Sequence, residues 1–444
     1  MSDLAKTLES IVGAEHLLAG GEARRYAVDD VMPGMAVFPG SVEQVSATLA
    51  ACSKAKAAVI PWGGGAHMGL GGVPKKVDVV LALGRMNQVL DHEPGDMTST
   101  VQAGMIVNDF QSRLGRHGQF LSLDPSGGAR ATIGGILAAN ASGPRRLRYG
   151  TARDLLIGLR VVDPDGTVTK AGAKVVKNVT GYDMNKLYVG SLGTLGVIVE
   201  ATFRLYPIPA TERTWVASFS TAAKTREVIG RILGSPLVPS AVEFLNDTAA
   251  AKVARHSSSI SGLRGVLLAV AIASVPEAVE AQLRSAQAMA QEASGALVLE
   301  GAAHEAFWAA VRDFDPGEGS AMVLKASVLL TKVAEAVEQG ERLAAQRGIR
   351  VAIISEAGTG IVRYYFRGDD GADGMKRLAE VVEPLRAFAV EAKGSLVVLQ
   401  APPEVKALVD VWGPAGKGFM LMQGLKGQFD PGHILSPGRF VGGL

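Results

Sequence analysis

Cysteine is almost missing: Cys52 is the only one in 444 residues. One thiol cannot close a disulfide within the chain, and it cannot hold an iron–sulfur cluster, which takes several cysteines. Its surroundings, VEQVSATLAACSKAKA, carry apolar residues at helical spacing, which predicts a buried helix position. If this chain moves electrons, it does so on an organic cofactor and hands them to something outside itself. Strong charge is missing too. A formal net charge of +2 offers no field to attract nucleic acid or an acidic membrane. No apolar run approaches the roughly 20 residues that a bilayer-spanning helix needs, so no transmembrane segment is expected. The opening MSDLAKTLESIVG has acids early and no apolar core of the secretory kind, and the expectation is a cytoplasmic protein. There is no low-complexity tract and no short repeat. The seven histidines include no pair at ligand spacing, so no metal is expected.

What is present is length, apolar residues and glycine. A chain of 444 residues with 48% hydrophobic and 20% charged residues can bury cores for two or three domains. Its 54 glycines point to tight turns and backbone-lined sites. In the first half, AVFPGSVEQVSATLAACSKAKAAVIPWGGG reads as strand, helix, strand and glycine loop. LIGLRVVDPDGTVTKAG reads as a hairpin turning at Pro164, Asp165 and Gly166. GTLGVIVEATFRLYPIP reads as strand closed by Pro207 and Pro209, and those prolines mark the best domain boundary. The second half changes rhythm. Its last elements run β-α-β-β-α-β, the ferredoxin-like pattern, and the pieces before them read as a looser copy. Together they predict one wide antiparallel sheet with helices on one face. The expected domains are 1–209, with 425–444 returning to it, and 210–424.

Three stretches carry chemistry. PWGGGAHMGLGG, residues 61–72, suits backbone N–H groups approaching a phosphate. It breaks the dinucleotide frame G-x-G-x-x-G: starting from Gly63 the last glycine falls on Met68, and starting from Gly69 on Pro74. It also lacks the Lys-Ser/Thr of an ATP-binding loop. A plain glycine-rich turn is the competing reading for this stretch alone. LDPSGGARATIGGILAANASGPRRLRYGTARD adds Thr132, Gly134, Gly135, Asn140, Ser142 and Gly143, small residues alternating with hydroxyl and amide groups. Such a lining suits a flat ring system with polar edges. KNVTGYDMNKLYVGSLGTLGVIVE places Gly190, Gly193 and Gly196 three apart before a strand.

In that order the three stretches resemble the FAD-binding oxidases of the vanillyl-alcohol oxidase and p-cresol methylhydroxylase (PCMH) type. The resemblance runs from about Ala36 to Pro209 and again over DPGHILSPGR at the end. It implies an α+β fold, a PCMH-type FAD-binding domain plus a ferredoxin-like antiparallel-sheet cap domain that shapes the substrate site. It implies cofactor contacts at Trp62, Gly63, Gly64, Gly65, Ala66, His67, Met68 and Gly69. It extends them to Pro125, Ser126, Thr132, Gly134, Gly135, Asn140, Ser142, Gly143, Gly196 and Val197. Where some relatives tether the flavin through a histidine this chain has Ala66, with His67 one step later, so non-covalent FAD is expected. Many relatives have Glu where this chain has Leu192 and Asn where it has Ser436.

Within the family, GPRRLRYGTARD and VVKNVTGYDMNKLYVGSLGTLG are most similar to the FAD-binding subunit of bacterial glycolate oxidase. The resemblance therefore implies oxidation of a 2-hydroxy acid of the glycolate or lactate type by hydride transfer to flavin N5. It also implies two partners, a second flavoprotein subunit and an iron–sulfur subunit, and a cytoplasmic place, peripheral to the inner membrane through that complex. A self-sufficient oxidase of another hydroxy acid or alcohol, and a non-catalytic FAD-binding scaffold, stay open. Related D-2-hydroxyacid dehydrogenases hold a metal with two histidines in the cap. Here SEAGTGIVR puts Glu356 and Arg363 at those places, and arginine cannot ligate because it stays protonated. Glu356 and Arg363 are read either as a salt bridge or as substrate groups. Arg363 and Tyr365 share one face of a predicted strand, which suits a carboxylate clamp, and Arg146 joins them as a candidate catalytic group. Arg145, Arg146 and Arg148 suit carboxylates, the pyrophosphate, or acids on another subunit. Lys177 and Tyr182 are weaker candidates.

Overall fold

The computed structural model describes residues 3–173, 182–315 and 321–444. The chain divides into two compact units. One comprises Met1–Ser142, Thr151–Ile208 and Pro414–Leu444; the other comprises Gly143–Gly150 and Pro209–Gly413. The change after Ile208 falls between the two boundary prolines. The tail rejoins the first unit from Pro414 rather than from 425, and the arginine-rich stretch 143–150 goes with the second unit.

In the first unit, β1 (Leu17–Ala19), β2 (Met35–Val37), β3 (Val59–Trp62) and β4 (Val79–Ala82) form a sheet in the order β1-β2-β4-β3. β4 runs parallel to both β2 and β3. Parallel strands need a crossover, and the helix Val42–Ala55 lies between β2 and β3 in the chain. Ser41 caps it by accepting from the Gln44 N–H at 3.3 Å. Val42, Val45, Leu49 and Cys52 are buried along it, so the lone cysteine sits where helical spacing put it. β5 (Val89–Glu93), β6 (Thr98–Gln102), β8 (Leu156–Val162), β9 (Val168–Gly172) and β10 (Val197–Arg204) form an antiparallel sheet, β5-β6-β10-β8-β9. The β8–β9 hairpin turns at Pro164–Gly166, where Gly166 takes a φ of 91° that suits glycine. A short pair, β7 (Gln119–Phe120) with β11 (Tyr206–Pro207), completes the strands of this unit among the described residues.

The tail is built into this unit. The Val59 N–H donates to the Ile434 carbonyl at 2.7 Å, and the Ser436 N–H donates to Val59 at 2.9 Å. Lys426, on the helix Phe419–Phe429, is fully buried and spends all three of its donors. They go to the Asp430 carboxylate at 2.6 Å and to the carbonyls of Thr194 at 2.8 Å and Leu435 at 2.9 Å. A buried ammonium is tolerated only when paired and hydrogen-bonded in this way. The lysine thus ties the tail to the turn that precedes β10.

The second unit carries one eight-stranded sheet. Its strands are β12 (Thr211–Phe219), β13 (Ala241–Leu245), β14 (Val266–Ser274), β15 (Gly295–Leu299), β16 (Ala321–Ser327), β17 (Arg350–Glu356), β18 (Ile361–Arg367) and β19 (Ser395–Gln400), in the order β15-β12-β14-β13-β17-β18-β16-β19. Each half repeats the ferredoxin-like order, and the halves join edge to edge where β13 pairs antiparallel with β17. Phe244, Ile353, Tyr364 and Leu324 alternate onto the face packed against the main core with the helices Ala222–Leu233, Pro276–Ala288, Val333–Gln346 and Val382–Glu391. The expectation of helices on one face needs correction. Two further helices, Asp247–His256 and Gly301–Arg312, cover part of the opposite face through Leu245, Val253, Phe307 and Ile354. Asn246 starts the first of them by accepting from the Ala249 N–H at 3.0 Å.

Candidate functional site

In the first unit the three glycine-bearing stretches come together. A cleft of about 400 Å³ is lined by Trp62, Gly63, Thr132, Gly134, Gly135, Gly196 and Val197. A neighbouring cleft of about 540 Å³ shares Gly63, Thr132 and Gly135 and adds Gly64, Gly65, Ala66, His67, Met68, Leu192, Ser436 and Arg439. The helix Ile133–Ala138 begins at this seam, with Thr132 as its cap. Gly69, Pro125, Ser126, Asn140 and Ser142 do not line these clefts, and Gly143 lies in the other unit. Lys177 is outside the described residues, and Tyr182 is 95% exposed.

The glycines divide by what faces them. A Cβ on Gly64 would overlap the Arg130 carbonyl, so that glycine serves the packing of its own loop. A Cβ on Gly135 would meet only the Thr132 hydroxyl, at 3.2 Å, and otherwise enter the clefts. A side chain there would take up cleft space. The Asn140 Oδ1 is buried and has no hydrogen-bond partner among the described residues. It is an acceptor left without a donor inside the fold. Glycine-lined walls and a largely apolar surround fit FAD.

Strain collects at the same place. Asn140, Leu192 and Ser436 have φ of 47°, 53° and 46°, values that cost energy in non-glycine residues and cluster at functional sites. The Ser436 hydroxyl donates to the Leu192 carbonyl at 3.1 Å, so the two positions that depart from many relatives hold each other. Arg439, which sequence reasoning passed over, clamps the glycine loop. It donates to the carbonyls of Met68 at 2.7 Å and Gly72 at 3.2 Å and pairs with Asp29 at 3.1 Å. Burial lowers the pKa of His67, which favours a neutral imidazole beside the cleft.

In the second unit a polar cluster occupies the half-covered sheet face. Strand alternation puts Glu243, Glu356, Arg363, Tyr365 and Lys325 on it. Glu356 is 2% exposed and takes Arg363 on Oε1. Arg146 approaches its Oε2 at 3.7 Å and Thr359 donates there at 3.3 Å. The salt-bridge reading of Glu356 and Arg363 is therefore what the structure shows. Burial works against the charge of Arg363, but Glu356 more than offsets it and raises its pKa. Tyr365, in contact with Phe314, has its phenol pKa raised by burial. Lys325 stands across the strand pair from Arg363. Its pKa is lowered by burial and by the charges of Arg363 and Arg146.

The three neighbouring arginines separate in role. Arg145 pairs with Glu212 at 2.9 Å and Arg148 donates to the Ala273 carbonyl at 2.6 Å, both fastening the 143–150 stretch to the sheet. Only Arg146 turns to Glu356. Lys325 and Glu243 escaped the sequence reading. The signal was a charge in the middle of an apolar strand, in AMVLKASVLL and SAVEFLN, where a buried charge needs a reason. Among the described residues no group of three His, Cys, Asp or Glu side chains is placed to hold a metal, and no helix is long and apolar enough to cross a membrane.

Comparison with known proteins agrees with both halves of this description. Residues 33–172 match the family described as FAD binding domain, and residues 208–397 match the C-terminal domain of FAD-linked oxidases. The chain is 28% identical to the glycolate oxidase subunit GlcD of Bacillus subtilis, over 92% of this chain and 89% of that one. It is 30% identical to a D-lactate dehydrogenase of Archaeoglobus fulgidus, over 91% of this chain and 90% of that one. A 4-ethylphenol oxidase from Gulosibacter chungangensis has the same fold, with a TM-score of 0.78 at 15% identity, over 99% of this chain and 96% of that one. So does p-cresol methylhydroxylase, with a TM-score of 0.77 at 16% identity, over 98% and 96%. The chain belongs to the FAD-linked oxidases of PCMH-type fold: it is an FAD-dependent oxidoreductase of the glycolate oxidase and D-lactate dehydrogenase family.

Proposed function

We propose that this chain oxidises a small 2-hydroxy acid of the glycolate or lactate type, on non-covalently held FAD, as the flavin-bearing subunit of a larger assembly. The observation that carries the reading is the convergence of two guanidinium groups on one buried carboxylate. Arg363 holds Glu356 closely, while Arg146 stands off at 3.7 Å. Arg146, whose planar fork matches a carboxylate, is the group for the substrate carboxylate, with Arg363 adding positive field and Tyr365 shaping the wall. The names of the relatives, a glycolate oxidase subunit and D-lactate dehydrogenases, point to the same substrate class.

FAD, when bound, supplies the hydride acceptor, N5 of its ring. The chain's part is to hold it and to place the acid. The glycine loop from Gly63 to Met68 and the Thr132–Gly135 turn would take the pyrophosphate and ring system. Ala66 offers no side chain for a covalent bond, and neutral His67 serves the cradle. Arginine at 363 replaces a metal-ligating group, so the acid is bound by charge and hydrogen bonds. With one cysteine, the electrons leave through an iron–sulfur partner and a second flavoprotein subunit.

The test is an anaerobic titration of the purified yellow chain with glycolate and D-lactate, alone and with its partner subunits. Bleaching of the flavin by either acid is expected, with flavin released to the supernatant when the protein is precipitated. Arg146→Met should raise KM at least ~10-fold, the loss of roughly 1.4 kcal/mol that one charge-assisted contact supplies. Flavin that neither acid bleaches in any combination would leave the scaffold reading in its place. A flavin that stays with the precipitate would overturn the non-covalent assignment.

A further inference from the structure

Oxidation of a 2-hydroxy acid has two departures to manage: a hydride from C2 and a proton from the hydroxyl, and the proton needs a base. The polar face of the second unit has few groups that can accept one. Arginine stays protonated. Glu356 has both oxygens engaged, Oε1 by Arg363 and Oε2 by the Thr359 hydroxyl. Glu243, opposite Glu356 on the next strand, has both carboxylate oxygens shut off from solvent and so from any substrate. Burial holds the Tyr365 phenol above its ordinary pKa, which keeps its proton in place. Lys325 is left. It is half-buried in β16 across from Arg363, and no hydrogen bond or ion pair joins its amine to another described residue.

We propose that Lys325 is the proton acceptor of the reaction, its neutral amine taking the hydroxyl proton of the bound 2-hydroxy acid. The inference rests on the function proposed above. The O–H bond breaks and an Nζ–H bond forms; the C2–H electron pair passes with its hydrogen to FAD, and the C2–O bond becomes a carbonyl. The products are the 2-oxo acid, reduced flavin and a lysine ammonium. Surroundings favour this use of a lysine. Burial disfavours its charged form, and the guanidinium groups of Arg363 and Arg146 repel a third positive charge, against the single opposing pull of Glu356. On the other side β19 presents Val397 across from Lys325, which brings no charge. Lysine changes protonation readily when buried among cations, as arginine does not.

The experiment follows flavin reduction by rapid mixing across pH 6 to 10 for the FAD-loaded wild type, Lys325→Met and Lys325→Arg. In parallel, the substrate-free proteins are methylated at lysine with 13C-formaldehyde and titrated by NMR, the signal missing from Lys325→Met giving the assignment. The wild-type rate should rise with pH through the Lys325 titration and then level, because the neutral amine is the active form. Lys325→Met and Lys325→Arg should both be slower by ~10²–10⁴-fold, the span of a positioned base, with a flat pH profile. The Lys325 signal should titrate below the bulk of the lysines. Should the Lys325→Met protein not bind flavin, Lys325→Gln takes its place in both measurements. Lys325→Arg that keeps its rate while Lys325→Met only raises the substrate Kd would make Lys325 a carboxylate anchor and overturn the proposal. A Lys325 signal that titrates with the other lysines would overturn it as well. A wild-type flavin that no 2-hydroxy acid reduces would sink the function itself, and the two failures are thereby told apart.

Discussion

Glycine 64 and glycine 135 look alike in the sequence, both set in runs that suit a phosphate or a flat ring. The structure gives them opposite tasks. A methyl on Gly64 would run into the Arg130 carbonyl, a backbone atom with nowhere to go. A methyl on Gly135 would meet one hydroxyl at 3.2 Å and project into the clefts. Gly135→Ala should therefore leave a folded protein, by circular dichroism, with FAD affinity weakened at least ~10-fold, about 1.4 kcal/mol. Gly64→Ala should lower the amount of folded protein itself. If Gly135→Ala binds FAD as tightly as the wild type, the clefts are not where the cofactor lies. The loop's glycine density was legible; which glycine faces a ligand and which faces backbone was not, because that depends on Arg130, 66 residues away along the chain. Arg363 was legible by alternation. Lys325 was equally available by that rule and was hidden only by its apolar neighbours.

Between strands and helices, the 143–150 stretch shows how a short element is fixed in place. Arg145 and Arg148 hold it to β12 and β14, and Arg145 does so through Glu212. Glu212 also accepts from Ser240 at 3.1 Å and lies 3.6 Å from His304, whose other ring nitrogen meets Thr214 at 2.9 Å. Burial alone would raise the pKa of Glu212, but His304, Arg145 and Ser240 pull it down to about 2. A carboxyl depressed in the folded state stabilises above its unfolded pKa and loses that contribution as pH falls through the folded value. Between pH of about 4.5 and 2, then, the second unit should lose on the order of 2–3 kcal/mol from this group. Thermal melts of wild type and Glu212→Gln, followed from pH 7 to 2.5, check it. The variant should start lower and fall less steeply, and parallel curves would show that the network contributes no linked stability. Of this arrangement the sequence announced the arginines and the ferredoxin-like halves. It concealed the helices Asp247–His256 and Gly301–Arg312, whose segments lie between strongly apolar strands and draw less notice than the strands do. Their caps and helical spacing were there to be found, with Asn246 opening the first.

Across the whole molecule the scarcity of cysteine has a consequence that can be counted in electrons. The only thiol, Cys52, lies in the core between Leu49 and Val59, and burial with the nearby Asp78 carboxylate pushes its pKa up to about 12. A thiol so held is not a thiolate at neutral pH and is neither a nucleophile nor a redox partner. No second redox group can be built from cysteine in this chain, so FAD is the one place where electrons can rest. Anaerobic titration of the flavin-loaded chain with dithionite should therefore end at about two electrons per chain, the capacity of a single flavin. Chemical analysis should find no iron. Cys52 should ignore a disulfide reagent in the native protein and react once per chain when guanidinium unfolds it. An endpoint beyond two electrons would mean that the isolated chain carries a relay of its own. An endpoint at two makes an external acceptor a requirement for turnover, and flavin reduced by a hydroxy acid should then stay reduced under argon until a dye or a partner subunit is added.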